Sequence, residues 1–247
     1  VVMGGGLGIF SGADYRIVTE RSRIAMPEVT IGLFPDAGQT WLLRNMAPHH
    51  ATFLGVTGSH MNGADALAVG LATHQVAGEA RAGLLSGLCA ADFADPEAAV
   101  AQVLAALPPA QLPADQVSAI PETLGPTGSL AEVVSAIRAL RGTSDWIDRG
   151  IDAMDHGCPT TVGIVVEQLK RAQSMTLAET FQMEMVLGTH CANNHDFADG
   201  VRALLIEKDN APAWQFDDLE SLPEAYVASH FADPWNGAAN PLADLGD

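Results

Sequence analysis

The chain has 247 residues, 48% of them apolar, enough to build a sizeable core as one large domain or two small ones. Thirty acidic against twelve basic side chains give a formal net charge of -18, which repels nucleic-acid phosphates and anionic membranes and argues against both as partners. No apolar run approaches the roughly 20 residues that span a bilayer, no secretory signal is evident, and Cys89, Cys158 and Cys191 form no CxxC pair, so neither a disulfide framework nor a metal site is expected.

Mostly buried, reduced thiols fit a cytoplasmic protein in a bacterium or a mitochondrial-matrix protein in a eukaryote. The chain opens at Val1-Val2-Met3-Gly4 without an initiator Met, and these residues already read as a strand end entering a functional loop. A fragment of a longer protein is the expectation.

Residues 1–45 are rich in glycine and β-branched side chains. A short helix is expected after Gly4-Gly5-Gly6-Leu7-Gly8, up to about Asp14, then a strand over Tyr15 to Thr19, a second over Arg23 to Met26, and loop from Pro27 to Gly38. This alternation argues an α/β fold. His50 to Val56 reads as helix, Asn62 as the N-cap of a helix through Val69, and Leu71 to Val76 as a rim strand. Asp95-Pro96-Glu97 starts a helix that runs to Leu107. Pro108, Pro109, Pro113, Pro121 and Pro126 make a linker-like stretch. Two capping boxes, Ser129 to Glu132 and Thr176 to Glu179, open further helices. The first carries Val133, Val134, Ile137 and Leu140 on one side, and in the second Leu177, Phe181 and Met185 recur every four residues. The tail after Pro223 is acidic, with scattered Pro and Gly, and is expected to be loosely ordered.

The candidate chemistry lies early. A triple-glycine turn before a helix exposes N–H groups with no Cβ in the way, which suits an oxyanion or a phosphate as well as plain packing. The dinucleotide fingerprint fails because Ile9 stands where its third glycine belongs, and no Gly-Lys-Ser/Thr follows to make a P-loop. Glu28 and Asp36 each follow a proline on a short loop among Met26, Val29, Ile31, Leu33 and Phe34. Partial desolvation would raise their pKa values and suit acid/base work, and two nearby carboxylates would drive those values apart. Taken singly, either acid serves equally as a cap or a surface-turn residue. There is no Gly-x-Ser-x-Gly elbow and no His-Glu-x-x-His; His190 and His195 read as structural.

Met3-Gly4-Gly5-Gly6-Leu7-Gly8, Tyr15 to Glu20 and Ala25-Met26-Pro27-Glu28-Val29-Thr30-Ile31-Gly32-Leu33-Phe34-Pro35-Asp36 together resemble the crotonase superfamily, and within it the 3-hydroxyisobutyryl-CoA hydrolases. A second match lies far downstream, at His195 to Arg202 and Leu205 to Trp214, with Cys158 to Thr161 and Leu177 to Glu184 fitting the same helical region. The resemblance runs from Val1 to about Phe231. It implies a ClpP/crotonase-like ββα spiral, of which residues 1–80 are the C-terminal part of the core, 81–150 a helical insert with the Pro-rich linker, and 151–247 a mostly helical C-terminal region with an acidic tail.

By the same resemblance, Gly5 supplies one of two backbone N–H groups that hold a thioester carbonyl. The second donor, and an acidic residue near the substrate, come in the family from upstream of the glycines. Enoyl-CoA hydratases carry a glutamate two residues after the triplet, where this chain has Gly8, and many have glycine where Asp36 stands. Asp199 replaces the glutamate more common before Gly200-Val201-Arg202 in the hydrolases, and a shorter, structural salt bridge follows.

The expectation is a hydrolase of a short β-hydroxyacyl-CoA thioester, with Glu28, Asp36 and Gly5 both binding substrate and acting in catalysis. No cofactor is needed beyond the CoA of the substrate, the partner is a small-molecule acyl-CoA, and homo-oligomerisation stays open. An enoyl-CoA hydratase or isomerase on the same fold is the first alternative. A non-catalytic CoA-binding or assembly subunit is the second.

Overall fold

In a computed structural model, residues 1–246 are described, and an α/β start gives way to stacked helices. Helix α1 (Gly5–Ser11) leads to strand β1 (Ile17–Val18), which pairs in parallel with β2 (His74–Gln75). The strand expected over Tyr15 to Thr19 is thus reduced to two residues. The strand expected over Arg23 to Met26 is a point contact: Ile24 bridges Val2 in parallel and Met61 antiparallel. Its N–H and C=O are both satisfied by Met61, at 3.0 and 2.7 Å, but Pro27 halts the ladder because it has no N–H to continue it. Between the strands come α2 (Gln39–Arg44), α3 (Pro48–Thr57) and α4 (Gly63–Ala68). Asn62 caps α4 as expected, accepting from Ala64 and Asp65 N–H while Asp65 accepts from Asn62 N–H.

Helices α5 (Arg81–Ala90) and α6 (Pro96–Ala105) pack on one another. The proline-rich stretch that follows is not a free linker. Ala110, Val117, Ile120 and Leu124 are buried, and the Asp65 carboxylate accepts the N–H groups of Gln116 and Val117. The prolines there set bends in a segment that covers the core.

Helices α7 (Leu130–Arg138), α8 (Asp145–His156) and α9 (Pro159–Ala172) join α3 around one apolar cluster running from Leu7 to Leu169. Helices α10 (Leu177–Asn193) and α11 (His195–Val201), a π-helical turn (Arg202–Ile206) and α12 (Glu224–Ser229) complete the fold. On α10 the expected stripe is displaced: Leu177 is exposed, and the inward face carries Thr180, Met183, Glu184, Leu187 and Cys191. Spacing of apolar residues alone misplaces this helix because its buried face holds a carboxylate. The tail after Pro223 is also better ordered than expected, since α12 packs on α9 with Leu222, Val227 and His230 buried. Cys158 and Cys191 are buried free thiols, whereas Cys89 is exposed. His190 and His195 each bond a backbone carbonyl, of Ala232 and Ala213.

What positions the loop from Pro27 onward is the junction of α9 and α11. Residues Pro27–Ile31, read from sequence as loop, form a 3-10 turn. Cys158 N–H donates to Val29 C=O at 2.9 Å. Asp196, buried at the start of α11, accepts from Thr160 Oγ1 at 2.8 Å and Gln215 N–H at 2.7 Å. Beyond it, Asp199 and Arg202 form the expected salt bridge at 2.7 Å, and Arg202 also grips Glu207 and Asp209. The guanidinium and Ala213 N–H pull the Asp199 pKa down to about 2.

Helix α11 lies so close to the 3-10 turn that a Cβ on Gly200 would stand 2.5 Å from the carbonyl of Ile31. Gly200→Ala must therefore push the helix and the turn apart. It should lower unfolding stability by about 1–3 kcal/mol, read as a shifted urea midpoint. An unchanged midpoint would show that the junction is looser than described.

Candidate active site

Glu28 is the second residue of the 3-10 turn and is only 3% exposed. Pro27 starts the turn, Met26, Val29 and Phe34 are buried beside Glu28 in the chain, and the left-handed Gly32 ends it. One polar side chain reaches the carboxyl: Gln39 Nε2–H donates to Glu28 Oε1 at 3.2 Å. The other oxygen, Oε2, is buried without a hydrogen-bond partner among the described residues. Burial therefore dominates and raises the pKa of Glu28 from 4.5 to about 7. Its own backbone and Gln39 oppose the rise, and the charge of Asp36 adds to it.

Asp36 follows on the loop that leads into α2. It is half-buried, and burial raises its pKa as well. After it the backbone turns sharply: Ala37 has φ +56° and Gly38 φ +82°. A left-handed alanine costs about 1–3 kcal/mol and persists only where its surroundings enforce it. Those surroundings are polar and buried. Glu184 of α10 accepts Gly38 N–H at 2.8 Å and Thr40 N–H at 3.1 Å. Gln168 of α9 donates to Pro35 C=O at 3.1 Å and to Thr40 Oγ1.

The glycine triplet faces outward at the start of α1. Gly5 is exposed, and a Cβ built on Gly5 or Gly6 would meet nothing within 4 Å. One turn along, Gly8 touches the Asp36 loop, where an added Cβ would lie 2.6 Å from Ala37 O. Gly8, rather than Gly5, is thus the glycine of this cluster that touches the Asp36 loop. Glu28 and Asp36 are coupled through their charges and through Gln39, which contacts Glu28 while its N–H donates to Asp36 C=O at 3.0 Å.

A separate cleft of about 470 Å³ uses Pro27 and Thr30 of the same 3-10 turn, with Arg23, Trp146 and Arg149, but contains none of Gly5, Glu28 or Asp36. Among the described residues no group of three or more His, Cys, Asp or Glu could hold a metal, and no helix is long and apolar enough to cross a membrane.

Three residues at this site escape a reading of the sequence. Gln39, Gln168 and Glu184 are buried polar side chains at 0%, 0% and 7% exposure. Gln39 had a faint signal, since a glutamine just after the turn glycine heads the helix that follows Asp36. Gln168 and Glu184 lie about 130 to 145 residues downstream on helices, and only the packing of α9 and α10 on α2 brings them here.

With this geometry in view, comparison with known proteins is informative. The family model described as enoyl-CoA hydratase/isomerase matches residues 1–231. Mitochondrial 3-hydroxyisobutyryl-CoA hydrolase of Danio rerio is 34% identical over 241 residues, covering 94% of this chain and 62% of that protein. The Homo sapiens protein of the same name is 31% identical over 237 residues, covering 94% and 61%. Among solved structures, a carnitinyl-CoA dehydratase from Mycobacterium thermoresistibile superposes with a TM-score of 0.82 at 30% identity, covering 100% of this chain and 68% of that one. An enoyl-CoA hydratase from Rhodobacter sphaeroides 2.4.1 gives 0.76 at 30%, covering 94% and 66%. This chain belongs to the crotonase (enoyl-CoA hydratase/isomerase) family and has its fold. It spans about three-fifths of the length of the curated relatives it matches.

The buried carboxyl has a consequence for stability. The folded protein holds the Glu28 proton up to about pH 7, whereas the unfolded chain releases it near 4.5, so stability falls as pH climbs through that window and stays lowered above it. The shift corresponds to a penalty on the order of 3 kcal/mol. Glu28→Gln should therefore be more stable than the parent at pH 8, and the advantage should vanish near pH 4.5. Denaturant melts at the two pH values measure this, and equal midpoints at pH 8 would contradict it.

Proposed function

We propose that this chain carries the catalytic acids of a CoA-thioester hydrolase acting on a short β-hydroxyacyl-CoA, 3-hydroxyisobutyryl-CoA above all. The observation that carries the reading is Glu28: a buried carboxyl with one oxygen free and a pKa near neutrality, to which the charge of Asp36 adds. The names of the relatives support the choice of substrate, and by that resemblance the reaction belongs to valine breakdown. Their names, which specify mitochondria, support a mitochondrial compartment if the source is a eukaryote.

In the proposed reaction the unprotonated Glu28 Oε2 attacks the thioester carbonyl carbon, or takes a proton from a water that does so. The carbonyl oxygen gains the negative charge and accepts the Gly5 N–H, a type of contact whose loss costs about 10² to 10³ in rate. As the tetrahedral adduct collapses the C–S bond breaks, and Asp36, its pKa raised by burial, orients the substrate hydroxyl or passes a proton to the departing sulfur. In the nucleophilic route a water then cleaves the mixed anhydride, giving its proton to Asp36 and restoring the Glu28 carboxylate.

The structural neighbours named as hydratase and dehydratase raise the alternative of water addition. Here the position two residues after the glycine triplet is Gly8, and Ala37 O lies 2.6 Å from where its Cβ would be. A glutamate side chain has no room there unless the Asp36 loop moves. This supports Glu28 with Asp36, rather than a pair of glutamates, as the working acids.

The test is release of CoA thiol by the intact protein, with 3-hydroxyisobutyryl-CoA beside crotonyl-CoA. Thiol release from the first, and no hydration of the second, is expected. kcat/KM should rise with pH through about 7, because the attacking or proton-accepting form of Glu28 is the one that has lost its proton. Glu28→Gln should abolish turnover while sparing CoA binding. Turnover by that variant at the parent rate would remove Glu28 from the mechanism.

A further inference from the structure

Glu184 is a buried carboxylate on the inward face of α10, among Thr180, Met183, Leu187 and Cys191. A charge or an unpaired acid in such a place is unfavourable, and a well-packed apolar side chain would often stabilise the helix interface as well or better. Its bonding is specific. Oε2 accepts Gly38 N–H at 2.8 Å and Oε1 accepts Thr40 N–H at 3.1 Å, two amides that bracket Gln39. The first of these amides belongs to Gly38, which is left-handed like Ala37 before it. The other end of the same loop is held by Gln168, whose Nε2–H reaches Pro35 C=O and Thr40 Oγ1.

The pinned segment therefore begins at Pro35 and ends at Thr40. What lies between is Asp36, the strained Ala37, and Gln39, the residue that hydrogen-bonds Glu28. Among the described residues neither oxygen of Glu184 hydrogen-bonds Glu28. Both are spent on backbone amides, so its influence on the chemistry passes through the loop. The carboxylate of α10 and the amide of α9 act together as a two-point clamp, contributed by helices far along the chain from the residues they hold.

We infer that Glu184 is a positioning residue for the thioester hydrolysis proposed above, holding the Ala37–Gly38 turn in its left-handed form so that Gln39 reaches Glu28 and the Asp36 loop keeps its course. The inference rests on the hydrolase reading, yet it makes a claim about the backbone that activity alone does not decide. Without the clamp, Ala37 relaxes toward negative φ, shifting Asp36 and drawing Gln39 away from Glu28. A misplacement of about 1 Å in such a constellation lowers turnover by about 10²-fold, while contacts that bind the CoA portion are untouched.

The test uses the intact protein with Glu184→Gln and Glu184→Asp. Glutamine keeps the size but offers one acceptor oxygen to two N–H groups and turns an NH₂ toward the other. Expected are a kcat about 10²-fold below the parent with KM unchanged, a cooperative melt as in the parent, and faster hydrogen exchange at the Gly38 and Thr40 amides with no change in α3 or α9. Glu184→Asp keeps the charge and both oxygens on a shorter arm, and its kcat should lie between the parent and Glu184→Gln. Should Glu184→Gln not fold, Glu184→Asp is read alone for a smaller loss of kcat at constant KM. A parent-like kcat in a folded variant, or unaltered exchange at both amides, overturns the inference. If the parent itself releases no thiol, the hydrolase reading falls, while the exchange measurement still judges the clamp.

Discussion

The structure turns on the desolvation of one carboxyl group. Glu28 is held by a 3-10 turn at 3% exposure, and among the described residues it has a single side-chain hydrogen bond to one oxygen and none to the other. Water would keep such a group ionised far below neutrality; burial, with the charge of Asp36 nearby, moves it to about 7. A carboxyl in that state can carry or give up a proton under physiological conditions. The same arrangement lowers stability, and a protein accepts that kind of burden most readily where its chemistry depends on it.

Much of the remaining architecture keeps this carboxyl buried and its neighbours in line. Helix α11 presses on the turn through Gly200, Cys158 N–H holds Val29, and Asp196 ties the start of α11 to Thr160 and to the segment at Gln215. The Arg202 cluster folds the residues after the π-helical turn back onto Asp199. On the other side, α10 and α9 grip the Asp36 loop with Glu184 and Gln168. The C-terminal helices are thus part of the site's support, and the two sequence blocks that resemble the hydrolases, one early and one late, meet at the 3-10 turn.

The local features of the chain were legible where the cause is local. Asn62 and the two capping boxes lie where side-chain spacing puts them, and α1, α3 and α6 fall within a few residues of their expected spans. Glu28 and Asp36 stood out because each follows a proline in an apolar stretch. What could not be read depends on packing between distant segments. The buried face of α10 includes a carboxylate, so apolar periodicity pointed to the wrong stripe. The proline-rich stretch looked like a linker because its value to the fold lies in Asp65, more than fifty residues upstream by chain. Residues Arg23 to Met26 carry strand-like side chains, yet only Ile24 finds partners on both sides.

A carboxyl that titrates near neutrality leaves a direct signature. Selective isotope labelling of glutamate in the intact folded protein, with Glu28 assigned by its replacement with glutamine, allows its ionisation to be followed by ¹³C NMR. The account predicts a midpoint at about pH 7. A midpoint near the ordinary 4.5 would show that Glu28 is well solvated or well bonded in the folded state, and the chemistry assigned to it would have no physical basis.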